Sequence, residues 1–401
     1  MDQAYIIDAV RIPRAKTDPL SGCYADIKAV DLLKPLFTAL VERNQFDTSL
    51  VDDVLIGCST QVGDQGSNIA KIATLHAGWS EQISGATISR FCCSGLDAVN
   101  LGAAKIMSGM ESLIVAGGVE QLSRVPMFSD KGSWYSDKQV MRSTRFMHMG
   151  LSADLIACSE NYSRQQLDTV AVNSHQRANH AINKGHFDRS LVSVNDKDGN
   201  PILEHDQAVR SHCDLSKLAK LPESFTQMIP YAQPLVEQYY PNITFSSTHT
   251  AGNSPALVDG ASLVLLANKD YCDKYNLRPR AIIKQFSNAS DEPVKMLTGH
   301  ISATEKLLKK ANLSVSDIDI WEVNESFAAS VLNYQQHFNI EDNKLNVNGG
   351  AIALGHPLGA TGGNLLGMLL DELERQELTR GVVSICAGAG IGVTTLIERV
   401  S

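Results

Sequence analysis

The sequence predicts an α/β fold made of two similar halves with a long polar insertion between them. Three observations predict it. Apolar strand-like runs alternate with amphipathic helical patterns through the N-terminal third, as in a sheet covered by helices. The same alternation returns after residue 255, beyond a polar middle stretch that holds most of the histidines. The two alternating regions also share landmarks in one order. Val51–Ile56 matches Val315–Ile320 in residue type, and the step from Val51 to Cys92 equals that from Val315 to His356. Each region ends in a strand running into glycines, Gly117-Gly118 and Gly388-Ala389-Gly390. Landmarks repeated in order read as an internal duplication.

Ala4–Ala9 is an apolar run and the first expected strand. Ile27–Arg43 carries Val30, Leu33, Phe37, Leu40 and Val41 at helical spacing. Val51–Cys58 reads as a buried strand, Asn68–His76 as a helix, and Ala86–Phe91 as a short strand. Gly95–Gly109 is a strong helix, because Leu96, Val99, Ala103, Ile106 and Met110 recur every three or four residues. Ser112–Ala116 is a strand expected to stop at Gly117-Gly118. The middle, 122–250, holds His148, His175, His205 and His249 and one amphipathic helix, Leu167–Lys184. A long insertion in an ordered scaffold commonly carries function. The second half is expected as strand Arg280–Phe286, helix Ala303–Ala311, strand Ile318–Val323 and helix Ser326–Phe338. Helix Thr361–Leu373 and strands Gly381–Cys386 and Gly392–Glu398 complete it.

Composition narrows the function classes. At 401 residues the chain can bury a core without metal or disulfide staples. Acidic residues outnumber basic ones, 44 to 35, for a net charge of -9. That balance argues against a nucleic-acid partner. No apolar run is long enough to span a bilayer, and the start lacks the basic and apolar regions of a secretory signal. A cytoplasmic setting is expected. The eight cysteines are scattered with no C-x-x-C pair, so reduced thiols are expected, with no zinc or other metal.

Four stretches carry chemistry. Ser89-Arg90-Phe91-Cys92-Cys93-Ser94-Gly95-Leu96 joins a strand to the strong helix, with Ser94 as its expected N-cap. A thiol there feels the positive helix end, which favours thiolate. Two cysteines merely buried at a tight turn would give the same pattern. The glycine-rich run Asn346–Gly363 holds His356 between Gly355 and Pro357 ahead of another helix, as a general base would sit. A structurally bonded loop histidine is the plainer alternative. Ser384–Gly392 is a strand ending at Cys386 and entering glycines whose backbone N–H groups suit an oxyanion hole. Its spacing fails the dinucleotide fingerprint, which needs glycine at Val393. In Trp321–Ala329, Asn324 either positions a water or carbonyl or caps a helix.

These stretches, in this order and with an insertion between the first two, resemble the thiolase family over essentially the whole chain. The matching motifs are Cys92-Cys93-Ser94-Gly95, Asn-Glu-x-Phe-Ala at Asn324–Ala328, Gly355-His356-Pro357 and Cys386-Ala387-Gly388. Gly117–Glu120, His148-Met149-Gly150, Thr250–Asn253 and Asp259-Gly260-Ala261 match as well. The resemblance implies a five-layered α-β-α-β-α duplicated fold with an inserted loop domain. Its implied parts are 1–121 with 251–271, a coenzyme A-binding loop domain over 122–250, and 272–401. It implies that Cys92 carries the acyl group, His356 takes its proton, and Cys386 moves a proton at the acetyl-CoA carbon. Oxyanion holes would be His356 with a water on Asn324, and the N–H groups of Cys92 and Gly388. For coenzyme A and the acyl group it implies Arg210, Phe225, His148, Met149, Ser254 and Phe327. Pro255 stands where many members have serine, and extra residues between Met228 and Ser246 resemble degradative members with larger acyl groups. The implied activity is 3-oxoacyl-CoA thiolysis, with acetoacetyl-CoA synthesis as the alternative. Coenzyme A serves as co-substrate with no bound cofactor. The implied partners are a homodimer or homotetramer and a β-oxidation multienzyme complex.

Overall fold

The structure is a computed structural model and describes residues 2–400. Its ten strands are β1 Ala4–Arg11, β2 Ala15–Lys16, β3 Asp53–Gly57, β4 Ser84–Ile88, β5 Leu113–Glu120, β6 Val258–Ala267, β7 Ala281–Ser290, β8 Ile320–Val323, β9 Arg380–Cys386 and β10 Ile391–Arg399. Apart from β2, which pairs with β6, they lie in the order β4-β3-β5-β6-β1-β7-β10-β9-β8. In the first half β4, β3 and β5 run parallel, and β6 and β1 follow antiparallel. In the second, β8 and β9 run parallel, and β10 and β7 follow antiparallel. A parallel bridge from Trp321 to Leu345 takes the place of β4.

The halves meet where β1 pairs with β7. Ala4 faces Ile283, Tyr5 faces Ile282 and Ile6 faces Ala281, so a pseudo-twofold axis passes between Tyr5 and Ile282. Each of these strands also loses one residue from the register with its outer neighbour, at Ile7 and at Lys284. A bulge at the same place in both copies is a shared feature of the duplication.

Helices complete the layers. The first half supplies α1 Ala29–Asn44, α2 Ile69–His76 and α3 Ser94–Met107. The middle supplies α4 Ser133–Ser136, α5 Lys138–Ser143, α6 Met149–Ser159, α7 Arg164–Asn183, α8 Leu215–Leu218 and α9 Ile229–Tyr239. Helix α10 Lys269–Tyr275 packs on the first-half core, and the second half supplies α11 Gly299–Ala311, α12 Ala328–Phe338, α13 Ala351–Leu354 and α14 Thr361–Arg375. One core packs α1 and α2 on the outer face of the first half-sheet, and another packs the outer face of the second. Between the half-sheets, Leu96, Val99 and Ile106 of α3 interlock with Leu365, Leu366 and Leu369 of α14. This gives five layers, with α3 and α14 buried at the centre.

Several expectations are corrected. β5 does not stop at Gly117-Gly118 but runs through them to Glu120. Both are buried, and a Cβ on Gly118 would run into the Gly359 carbonyl oxygen, so they mark a close approach rather than a strand end. The equal steps ending at Cys92 and His356 are not the register of the duplication. Asp52 accepts from the Ser112 and Leu113 N–H groups, and Asp319 accepts from those of Thr379 and Arg380. The pairs Asp52/Asp319, Leu113/Arg380 and Ser94/Thr361 share one offset, which makes Gly359 the counterpart of Cys92. His356 stands three residues ahead of it. Strand β6 and helices α6 and α9 went unread, because β6 and α6 are buried nearly all round and α9 is interrupted by Pro234.

Candidate active site

Cys92 sits in a tight turn between β4 and α3. The Cys93 N–H donates to the Arg90 carbonyl and the Ser94 N–H to that of Phe91, each at 3.1 Å. Ser94 is not the N-cap; Cys93 holds that position without a side-chain bond. The Ser94 hydroxyl instead donates to the Phe91 carbonyl at 2.6 Å and accepts from the Arg90 N–H at 2.8 Å. Phe91 takes φ 50, a left-handed conformation that non-glycine residues rarely hold without structural cause. The Cys93 thiol turns away and donates to the Ile385 carbonyl at 3.3 Å. Cys92 is thus the thiol of this pair that faces the cavity.

The second half brings three groups opposite it. The His356 N–H donates to the Ala256 carbonyl at 2.8 Å, and His356 Nδ1 lies 2.8 Å from Thr361 Oγ1. Nε2 is therefore the ring nitrogen left for the cavity. Two buried carboxyls brace the loop around this histidine. Glu120 accepts from the Gly359, Ser59 and Thr60 N–H groups at 2.9 to 3.1 Å. Glu325 accepts from the Ile352 N–H at 3.0 Å and the Ser174 hydroxyl at 2.7 Å. At the end of β9, the Cys386 thiol donates to Ser326 Oγ at 3.1 Å. Ser326 Oγ also accepts from Asn324 Nδ2 at 2.8 Å. Asn324 does not cap α12, which begins at Ala328 after Phe327; its side chain orients Ser326.

One cavity of about 270 Å³ joins these groups: Cys92, His356, Cys386 and Ser326 line it. His148, Met149, Phe225, Ser254 and Phe327 line it too, beside Pro255 and Leu257. Phe225 packs so closely on Gly150 that no Cβ fits there, and its ring lies 5.5 Å from that of His148. The Ser254 hydroxyl donates to the Thr250 carbonyl at 2.8 Å. A smaller cavity of about 50 Å³ adjoins Cys92 and Gly388 and is walled by Phe91, Met127, Trp134 and Leu358. Asn324 lies behind Ser326 and lines neither cavity. Arg210 is exposed and also lines neither; its backbone N–H donates to His175 Nδ1. The N–H groups of Cys92 and Gly388 have no acceptor among the described residues, which leaves both free for an oxyanion.

Electrostatics correct one expectation. The helix end does not make Cys92 a standing thiolate. Burial pushes its thiol well up, and Cys386 and Glu120 nearby push it further. Burial, with Arg14 close by, lowers His356 to about 3, so its imidazole is neutral at physiological pH. The resting pair is a thiol and a free base, an arrangement in which a thiol can be activated by proton transfer to Nε2. Burial also raises the Cys386 thiol. Sequence reasoning missed Ser326, Thr361 and Trp134. Ser326 occupies the variable position of Asn-Glu-x-Phe-Ala, so the motif itself gave no signal for it. Among the described residues no group of three or more His, Cys, Asp or Glu could hold a metal ion. No helix among them is long and apolar enough to cross a membrane.

Residues 4–228 match the family model described as thiolase, N-terminal domain, and residues 277–399 match thiolase, C-terminal domain. A steroid 3-ketoacyl-CoA thiolase, FadA6, of Mycobacterium tuberculosis is 37% identical, over 100% of this chain and 95% of its own length. The 3-ketoacyl-CoA thiolases of Colwellia psychrerythraea and Shewanella denitrificans are 33% and 35% identical over 100% of both chains. The crystal structure of the Bacillus anthracis acetyl-CoA acetyltransferase superposes with a TM-score of 0.87 at 30% identity, covering 100% of this chain and 99% of that one. The chain is a member of the thiolase family of acyltransferases.

Proposed function

We propose that this thiolase works in the degradative direction, cleaving a 3-oxoacyl-CoA with coenzyme A into acetyl-CoA and a shortened acyl-CoA. The observation that carries the reading is the meeting of two thiols and one imidazole around a single cavity. His356 Nε2 takes the Cys92 proton, and the thiolate attacks the 3-keto carbon. Collapse of that adduct breaks the carbon–carbon bond and leaves the acyl group on Cys92. The electron pair stays on the acetyl-CoA carbon, and Cys386 supplies its proton. Coenzyme A then attacks the Cys92 thioester and carries the acyl group away. The free N–H groups of Cys92 and Gly388 would stabilise one developing oxyanion, at roughly 3 kcal/mol per donor.

Phe225, His148, Met149, Ser254 and Phe327 are read as the walls around pantetheine and the acyl thioester, and Arg210 as a contact for the nucleotide end. The loop region 122–250, which carries most of these residues, is read as the coenzyme A-binding unit. The aromatic and methionine walls of the smaller cavity support an apolar acyl group. The likeness to a protein named for steroid thiolysis extends that to ring-derived acyl chains. The test is a panel of 3-oxoacyl-CoA substrates, from acetoacetyl-CoA upward in length and branching, with free coenzyme A. Acetyl-CoA release is expected and should vanish in Cys92→Ala. No turnover with any acyl group, or full turnover without Cys92, would sink the reading. Preference for acetoacetyl-CoA over all longer substrates would favour the synthetic role instead.

A further inference from the structure

We propose that the Ser326 hydroxyl is the proton-responsive partner of Cys386, accepting from its thiol and turning to donate to its thiolate. A hydroxyl has one hydrogen and two lone pairs. In the resting site both lone pairs are taken: Cys386 donates at 3.1 Å and Asn324 Nδ2 at 2.8 Å. The Ser326 hydrogen has no acceptor among the described residues, and Ser326 lines the cavity.

Ser330 is the contrasting case. Its Oγ lies 3.5 Å from Cys386 Sγ, but its hydrogen is already given to the Leu297 carbonyl at 3.0 Å. Ser330 can accept from the thiol but cannot donate to a thiolate without breaking that bond. In the resting site nothing else facing Cys386 supplies a counter-ion; during cleavage His356 holds the Cys92 proton across the cavity, and Ser326 is the free donor in contact with the sulfur. Cys92, His356 and His148 face it across the cavity, and Cys93 lies behind. Burial holds these thiols protonated and lowers both imidazoles. A thiolate forming here depends on a hydrogen-bond donor, and bonds to charged groups are the strong ones.

The inference rests on reading Cys386 as the group that moves the proton. In cleavage, the Cys386 S–H bond breaks as the new C–H bond of acetyl-CoA forms, leaving the sulfur negative. The Ser326 O–H then rotates to point at the sulfur, while Asn324 Nδ2 still donates to Oγ and fixes its position. The coenzyme A thiol of the second half-reaction returns a proton to Cys386, and the resulting thiolate attacks the acyl-enzyme. The Ser326 hydrogen rotates but is not transferred.

The test measures Cys386 itself, so it holds even if the substrate reading fails. In the Cys92→Ala background, iodoacetamide labelling of the Cys386 peptide is followed by mass spectrometry from pH 6 to pH 10. Adding Ser326→Ala is expected to slow labelling about tenfold at a given pH and move its rise to higher pH. Adding Ser326→Thr, which keeps the hydroxyl, should restore the curve, and Ser330→Ala should move it less. With Cys92 intact, Ser326→Ala should lower kcat more than it changes KM, and Ser326→Thr should recover it. A labelling curve that Ser326→Ala leaves in place, or that Ser330→Ala moves more, overturns the proposal.

Discussion

His356 has one ring nitrogen committed and one free, and Thr361 makes that division. His356 Nδ1 lies 2.8 Å from Thr361 Oγ1; in the tautomer whose Nδ1–H donates to that oxygen, Nε2 carries the lone pair that a base needs. Thr361→Val keeps the shape and removes the acceptor. It is expected to lower kcat roughly ten- to a hundredfold while KM for acyl-CoA changes little, measured with the best substrate of the panel. An unchanged kcat would mean that the loop alone fixes the tautomer. This pairing was not legible in the sequence, although both residues stood in the glycine-rich run. Cys92, His356 and Cys386 were legible, because each ends a strand or opens a helix amid glycines. Their protonation states were not, since burial of the whole cluster outweighs the local helix end.

Among elements, what brings Cys92 to His356 is the contact of two turns at backbone distance. Gly95 opens α3 directly against the turn that precedes α14, and a Cβ on it would run into the Gly359 carbonyl oxygen. Gly95→Ala is therefore expected to destabilise the fold by about 1–3 kcal/mol and to lose most activity as the turns part. Chemical denaturation and turnover together check this; a stable, active variant would show that the turns can shift at little cost. Helix α4 sets the other wall. Its Trp134 packs 5.2 Å from the Phe91 ring and would meet a Cβ on Gly388 at 2.9 Å. Trp134→Ala should raise kcat/KM several-fold for bulky acyl groups relative to acetoacetyl-CoA, and an unchanged ratio would place the acyl chain elsewhere. The periodicities found most of the strands and helices, because amphipathic elements declare one apolar face. They could not find β6, buried along its whole length, nor the loop-region helices that pack on each other. The polar middle was legible only as an insertion, since its order comes from long-range contacts such as Ser152 to the Val294 carbonyl at 2.7 Å.

For the whole molecule, burial of titratable groups ties stability to pH from both sides. His175, His300 and His356 are buried, and burial lowers them to about 4, 3 and 3. The unfolded chain takes up protons at these sites as pH falls below about 6.5, and the folded chain does so only near 3 to 4. Their contribution is present above pH 6.5 and is lost as pH falls toward those values. Glu322 acts in the opposite sense. Both its carboxyl oxygens are buried without a partner, and burial, with Glu372 and Glu325 nearby, holds it well above the usual range. It keeps its proton in the fold while the unfolded chain releases it, so stability is lost as pH rises above about 4.5. The two effects offset each other in the wild type, so each is read as a difference against a variant. Glu322→Gln should match the wild type near pH 4 and exceed it increasingly toward pH 8, by up to about 1.4 kcal/mol per pH unit. His300→Phe keeps a ring on Tyr334, 4.8 Å away, and should gain on the wild type as pH falls from 6.5. Thermal unfolding across that range decides both. A Glu322→Gln difference that does not change with pH would mean that this carboxyl titrates normally in the fold, with water or a counter-ion reaching it. Parallel curves for His300→Phe would mean the same for that imidazole.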